Sequence, residues 1–205
     1  MDNLKPEERW VGGLDGLRKK YLAFLSQVDR EGIPDLVKYL EESDFFTAPG
    51  STKYHNAYPG GLVEHSLLVC THAMRLASIY LPDPKHHESI VLTSLTHDLC
   101  KINMYSQKSH MVKNEGTGGI WTPERYYIIE DQFPYGHGEK SVLILQRFLK
   151  LTNDEIMAVR WHMGGFDDVA GTYAGGMQLR SAAETYPLVI LLHMADLASC
   201  YLEVE

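Results

Sequence analysis

No stretch of this sequence reaches the roughly 18 consecutive apolar residues that a membrane-crossing helix needs, so no such span is expected. The first residues, Met1-Asp2-Asn3-Leu4-Lys5-Pro6-Glu7-Glu8, lack a basic segment followed by an apolar run. That pattern is what an export signal requires, and a soluble, cytoplasmic protein is therefore expected. Cysteine is scarce. Cys70, Cys100 and Cys200 are odd in number, widely spaced and without a C-x-x-C pair, which suggests neither a disulfide framework nor a thiolate zinc site. Basic residues are also in deficit: 19 Lys and Arg against 27 Asp and Glu leave a formal charge of −8. This argues against a surface that tracks long nucleic-acid backbones, while a small phosphate can still bind at a metal-rich pocket. Internal repeats, low-complexity tracts and linkers strong enough to divide the chain are absent. With 205 residues, 44% apolar and 22% charged, the chain can bury a core and is too apolar for disorder.

What is present is helical periodicity. Leu14, Leu17, Tyr21, Leu25 and Val28 recur at three- and four-residue steps, predicting an amphipathic helix that ends before Gly32, with a second short helix after Pro34. From Gly61 to about Tyr80 the chain is apolar on most sides, as in a helix enclosed by others, until Leu81-Pro82-Asp83-Pro84 stops it. Another apolar helix is predicted from about His87 to about Lys101. Between Asn103 and His137 the pattern fails: Gly116, Gly118, Gly119, Pro123 and Pro134 interrupt it, while Tyr105, Trp121, Tyr126, Tyr127, Ile128 and Ile129 are strand-like. A long irregular or hairpin excursion is expected there, functional rather than disordered. Helical signals resume at Gly138, and Thr152-Asn153-Asp154-Glu155 fits a capping box. Gly164-Gly165 ends that helix, and a glycine-rich stretch to Gly176 leads to a final apolar helix from Pro187 to about Leu202. The expected fold is an all-α helical bundle with an excursion around residues 103–137.

Histidine is plentiful, at ten residues, and its positions carry the chemistry. His97-Asp98 sits in Leu95-Thr96-His97-Asp98-Leu99-Cys100-Lys101, at the end of a helix that otherwise reads as buried. An imidazole and a carboxylate in an apolar wall are costly unless paired or metal-bound. Lys101 follows His97 by four residues and Asp98 by three, on a face where an ammonium can meet a phosphate oxygen. His65 lies inside the most apolar helix, His137 sits between two glycines at a helix start, and His162 is near a helix end before Met163-Gly164-Gly165. Asp196 is the only acid in the run Leu191 to Ala198. No two of these sites are sequence neighbours, so only folding can gather them.

In order along the chain, His65, His97-Asp98 and Asp196 resemble the skeleton of the HD-domain metal-dependent phosphohydrolases. The segment His55-Asn56-Ala57-Tyr58-Pro59-Gly60-Gly61-Leu62-Val63-Glu64-His65 is similar to the opening motif of the branch that includes the catalytic domain of YhaM-type exoribonucleases. Thr96-His97-Asp98-Leu99-Cys100-Lys101 looks like that branch's His-Asp-x-x-Lys element, and Leu192-His193-Met194-Ala195-Asp196 like its closing helix. The resemblance covers about residues 50 to 203. It implies an HD phosphohydrolase domain over 50–205, with residues 1–49 as a helical extension packed on it. It further implies a divalent metal ion held by His65, His97, Asp98 and Asp196, a second completed by His137 and His162, and hydrolysis by metal-activated water. Asp98 would bridge the ions, Lys101 would bind a non-bridging phosphate oxygen, and His55 would protonate the leaving oxygen. Imidazole and carboxylate donors suit Mn, Fe, Co, Ni, Zn or Mg alike. Two positions depart from the family pattern: Cys100 stands where a small glycine often precedes the lysine, and Trp161-His162-Met163 offers one histidine where two are common.

Other residues read more plainly. His193 is expected to support a ligand rather than be one. Arg160 and Arg180 fit structural ion pairs, His86-His87 a solvated helix start, and His72 and His110 have no motif around them. Glu64 reads equally as a surface acid or a site residue, and Trp121, Tyr126 and Tyr127 equally as a lid over a base or sugar or as packing. The expected activity is hydrolysis of a phosphomonoester or phosphodiester of a nucleotide-like small molecule. Trimming of RNA 3′ ends and metal-dependent nucleotide sensing without turnover are the alternatives. Neither a long nucleic acid nor a membrane is expected as a partner.

Overall fold

The apolar stripes become helices that enclose one another. The computed structural model describes residues 11–54, 56–114 and 119–202. Among the described residues the elements are α1 (Gly13–Leu25), α2 (Ile33–Glu42), α3 (Gly61–Tyr80), α4 (His87–Thr96), β1 (Tyr105–Asn114), β2 (Ile120–Ile129), α5 (His137–Leu145), α6 (Asn153–Trp161), α7 (Tyr173–Thr185) and α8 (Pro187–Tyr201). The fold is predominantly helical, and its two-stranded sheet is the expected hairpin.

Helix α3 is the axis, packed along α4 and α8. Because neighbours cover it on several sides, its buried residues run from Leu62 to Ala77 without keeping to one stripe. On one side Leu62, Leu67, Leu92 and Leu95 share a core with Leu17, Tyr21, Leu25, Leu36 and Leu40 of α1 and α2. There the Tyr21 hydroxyl donates to the Leu95 carbonyl at 3.0 Å. On the other side Val69, Ala73 and Ala77 meet Leu188, Leu191, Leu192 and Ala195 of α8. Each buried Leu contributes about 1.5–3 kcal/mol, so these two cores fix α3, α4 and α8 relative to one another, and with them every polar side chain those helices carry inward.

The hairpin pairs in register from Tyr105 opposite Ile129 to Asn114 opposite Ile120. Trp121 and Tyr126 are exposed, so packing onto the bundle does not account for them. The Glu130 amide closes the base of the hairpin on the Met104 carbonyl at 2.9 Å, and Lys140 Nζ on α5 holds Asp131 Oδ1 at 2.6 Å.

Two expectations of helical extent are corrected. Helix α4 stops at Thr96 instead of continuing to Lys101: His97 keeps helical dihedrals, Asp98 moves to φ −103° and ψ 20°, and Leu99–Lys101 forms one 3₁₀ turn. The Cys100 amide donates to Ser141 Oγ on α5 at 3.1 Å, a bond made across the fold that apolar periodicity cannot reveal. The glycine-rich stretch is likewise not one loop. A 3₁₀ turn at Gly164–Phe166 is followed by α7, capped by Thr172 Oγ1, which accepts from the Gly175 amide at 3.0 Å. A Cβ on Gly175 would overlap the Val169 carbonyl, so this glycine marks a close approach and not a break. The capping box of α6 is present as expected: Thr152 Oγ1 accepts from the Glu155 amide at 3.3 Å, and Glu155 Oε2 from the Thr152 amide at 2.8 Å.

Candidate metal centre

Five helices deliver one residue or one pair each to a common interior point. His65 comes from the second turn of α3, His97-Asp98 from the end of α4, His137 from the first position of α5, His162 from just past α6 and Asp196 from α8. His65 Nε2 lies 3.2 Å from both His97 Nε2 and Asp196 Oδ1, and 3.4 Å from Asp98 Oδ2. His97 Nε2 lies 3.5 Å from Asp98 Oδ2 and 4.0 Å from Asp196 Oδ1. The other oxygen of Asp98, Oδ1, meets His137 Nε2 at 2.7 Å and His162 Nε2 at 3.5 Å. Asp98 therefore stands between two sets of imidazoles. Of the residues singled out in the sequence, His55 lies outside the described residues.

The rings are oriented by what their other nitrogens do. Ser199 Oγ donates to the Asp196 carbonyl at 2.7 Å, so its contact with His65 Nδ1 at 3.2 Å makes Nδ1 the donor. His97 Nδ1 donates to the Ser94 carbonyl at 2.9 Å, and His162 Nδ1 to the Val159 carbonyl at 2.7 Å. All three Nε2 atoms face the centre. His162 Nε2 is buried with no hydrogen-bond partner. Imidazoles fixed through Nδ1, joined by carboxylates, are a donor set that suits a divalent ion. The ligand atoms of His65, His97 and Asp98 lie within 4.8 Å of one another, as do those of His97, His162 and Asp196. The residues fit a metal ion.

The electrostatics point the same way. Burial works to raise the Asp98 carboxyl, yet Lys101, His97 and the His137 hydrogen bond outweigh it and hold it well below the usual carboxylate range. Asp196 is likewise held far down, against its burial, by His65 and His97. Burial drives the His97 imidazole down to about 3, so this ring is neutral. His137 behaves oppositely: burial opposes its charge, but Cys100 and Asp98 prevail and push it up to about 10. Lys101 Nζ donates to Asp98 Oδ2 at 2.6 Å, and Asp98 holds it charged despite burial.

Around this centre the expected arginine ion pairs are present and one expectation is corrected. His193 Nδ1 donates to the His162 carbonyl at 2.7 Å, supporting a ring that faces the centre without reaching it itself. Arg160 pairs with Glu139 at 2.6 Å and Asp167 at 2.8 Å, and Arg180 with Glu184 at 2.8 Å. Glu64 is not a surface acid: it is fully buried and accepts from the Tyr58 hydroxyl at 2.5 Å. Sequence reasoning set the cysteines aside, yet Cys100 falls with Asp98 and His137, and Cys200 with His65 and Asp196, in groups whose ligand atoms also lie within 4.8 Å. A signal existed for the second, since Cys200 follows Asp196 by one helical turn.

No family model matches the chain, and no solved structure matches it. A curated protein of Methanocaldococcus jannaschii does, at 32% identity over 97 residues. It is named dihydroneopterin 2′,3′-cyclic phosphate phosphodiesterase. The match takes in 45% of this chain and 37% of that protein, so the chain spans little more than a third of its relative's length. No described helix is long and apolar enough to cross a membrane.

Proposed function

We propose that this chain is a metal-dependent phosphohydrolase of the HD type, acting on a phosphate ester of a nucleotide-like small molecule. The observation that carries the reading is the convergence of three Nδ1-anchored imidazoles and the carboxylates of Asp98 and Asp196 on one interior point. His65, His97, Asp98 and Asp196 are the proposed ligands of one ion, with Asp98, His137 and His162 toward a second. A divalent ion at such a site supplies a Lewis acid for phosphoryl oxygens and lowers the pKa of water. Lys101, a buried ammonium held against Asp98, would bind a non-bridging phosphate oxygen as negative charge grows there. His55 is kept as the proposed proton donor to the leaving oxygen. Residues 50–205 contain every proposed site residue, and residues 1–49 contribute α1 and α2 to the core beneath it.

The relative's name supports a phosphodiesterase acting on a small heteroaromatic cyclic phosphate and gives no support to the exoribonuclease branch. Cyclic phosphodiesters are therefore the first substrates to try, in the cytoplasmic setting expected from the sequence. The test is a panel of cyclic phosphodiesters, mononucleotides and oligonucleotides with Mn, Ni, Co, Zn or Mg added, run on wild type and on folded His97→Ala and Asp98→Ala proteins. Turnover of small esters, lost together with bound metal in both variants, supports the reading. Full activity in either variant ends it. Cleavage of oligonucleotides alone would favour RNA trimming, and saturable binding without product would favour a sensor.

A further inference from the structure

We propose that Cys100 is a metal ligand, and that its sulfur makes the Asp98–His137 side of the centre a mixed S, N, O site. Such a site favours a borderline ion, Zn(II), Co(II) or Fe(II), over Mg(II) and Mn(II). The inference rests on the metal-centre reading above and deepens it.

Cys100 Sγ lies within 4.8 Å of a carboxylate oxygen of Asp98 and a nitrogen of His137, as those two atoms do of each other. Donors bound to one ion through a thiolate bond of about 2.3 Å and imidazole or carboxylate bonds of about 2.0–2.2 Å stand roughly 3 to 4 Å apart, inside that span. The backbone at this point is not free to drift. Asp98 leaves the helix, the 3₁₀ turn carries Cys100 inward, and Ser141 Oγ on α5 accepts its amide at 3.1 Å. Ser141 lies one turn beyond His137 on α5, so one helix positions both the imidazole and the cysteine. The side chain is 2% exposed. An independent observation marks the same place: His162 Nε2, buried and without a partner, is aimed at Asp98 Oδ1, the oxygen that His137 also reaches. Cys100, His137 and Asp98 would together offer one sulfur, one nitrogen and one oxygen, three of the four donors a tetrahedral ion takes.

Softness then separates the metals. Imidazole and carboxylate alone discriminate poorly among first-row ions, whereas a thiolate disfavours hard Mg(II) and Mn(II). Ligation requires the thiolate and a neutral His137 ring, so the Cys100 proton and the extra proton of His137 are both released to solvent as the ion enters, with no change of oxidation state. The other cysteines provide controls. Cys70 is buried in the apolar core that also holds Leu67 and Val91, and Cys200 lies with His65 and Asp196.

The experiment uses full-length protein stripped with chelator, thiols reduced, then loaded with Co(II) alone and analysed for cobalt content and absorption. Wild type should show a thiolate-to-cobalt charge-transfer band in the near ultraviolet. The band should persist in Cys70→Ala and Cys200→Ser and vanish in Cys100→Ser. Cys100→Ser should also bind Zn(II) at least tenfold more weakly, with little change for Mg(II). Cobalt-loaded wild type without the band overturns the proposal, whatever the variants do. A band lost in Cys200→Ser and kept in Cys100→Ser overturns it too, since the sulfur is then the wrong one. Wild type that takes up no cobalt or zinc overturns the metal centre itself, a failure distinguishable from the other two.

Discussion

His65 Nε2 and His97 Nε2 face each other across 3.2 Å in the protein interior, and each ring has already committed its other nitrogen, to Ser199 Oγ and the Ser94 carbonyl. With both Nδ1 atoms committed, the facing Nε2 atoms need a proton or a cation between them, and against its burial Asp196 and Asp98 raise the His65 ring from its ordinary 6.5. A divalent ion should therefore stabilise the folded protein strongly. At a free concentration one hundred times its dissociation constant the gain is about 2.7 kcal/mol. Chelator is expected to lower the melting temperature of wild type and to leave that of His97→Ala unchanged. An equal shift in both proteins would dissociate this pair from metal binding.

Lys101 and Asp98 make a second separable prediction. Removing the ammonium in Lys101→Met takes one of two close cations from a buried carboxylate and leaves His137 at 2.7 Å, so the cost should fall below the roughly 3–5 kcal/mol of a carboxylate left with no replacement. A metal ion on Asp98 is such a replacement, so denaturant midpoints should show a smaller penalty in metal-loaded protein than in stripped protein. Turnover of the best substrate should fall about a hundredfold or more, because a charge aimed at the phosphoryl oxygen is gone. Turnover at the wild-type rate would remove Lys101 from the chemistry.

Away from the centre, Arg30 ties α6 to α4. Its guanidinium donates to Glu155 at 2.9 and 2.6 Å and also contacts Glu88, while Ser89 Oγ donates to Glu155 at 2.6 Å. Burial works to raise the Glu155 carboxyl, but Arg30, Ser89 and the Thr152 amide prevail and lower it from its ordinary 4.5. A carboxyl lowered on folding stabilises the protein fully above pH 4.5 or so, and that contribution is lost as pH falls through the lowered value. Urea titrations from pH 7 to pH 3 should show wild type losing stability in this window. Glu155→Gln should be about 3 kcal/mol less stable at pH 7 and flatter with pH. Parallel pH profiles for the two proteins would refute the assignment.

Gly164 has φ +54°, and a Cβ there would come within 2.5 Å of the His193 ring, which holds the His162 carbonyl. Gly164→Ala should cost about 1–2 kcal/mol from the left-handed backbone alone. It should also displace His193 and loosen His162, so thermal melts are expected to show a reduced stabilisation by metal. A full metal response in the variant would separate Gly164 from the site.

The helices and the residues that could serve a metal were legible because both are local properties. Leu17, Tyr21 and Leu25 repeat at helical spacing whatever lies around them, and Thr152 and Glu155 cap a helix start within four residues. Helix α7 was hidden for the same reason in reverse. Gly175 looks like a breaker until Val169 is seen to leave no room for a side chain.

Asp98 between the two sets of imidazoles, the Nδ1 tautomers, the buried Glu64 and the nearness of Cys100 to His137 belong to the tertiary structure. Each depends on an atom from another segment: Ser141 on the Cys100 amide, Ser199 on His65, Tyr58 on Glu64. By itself the sequence determined which segments coil and which polar side chains they carry on faces meant for the interior. Packing decided where those side chains meet. Ring orientation and proton position answer to fields and hydrogen bonds that fall off within a few ångströms, and only the folded chain brings segments more than a hundred residues apart into that range.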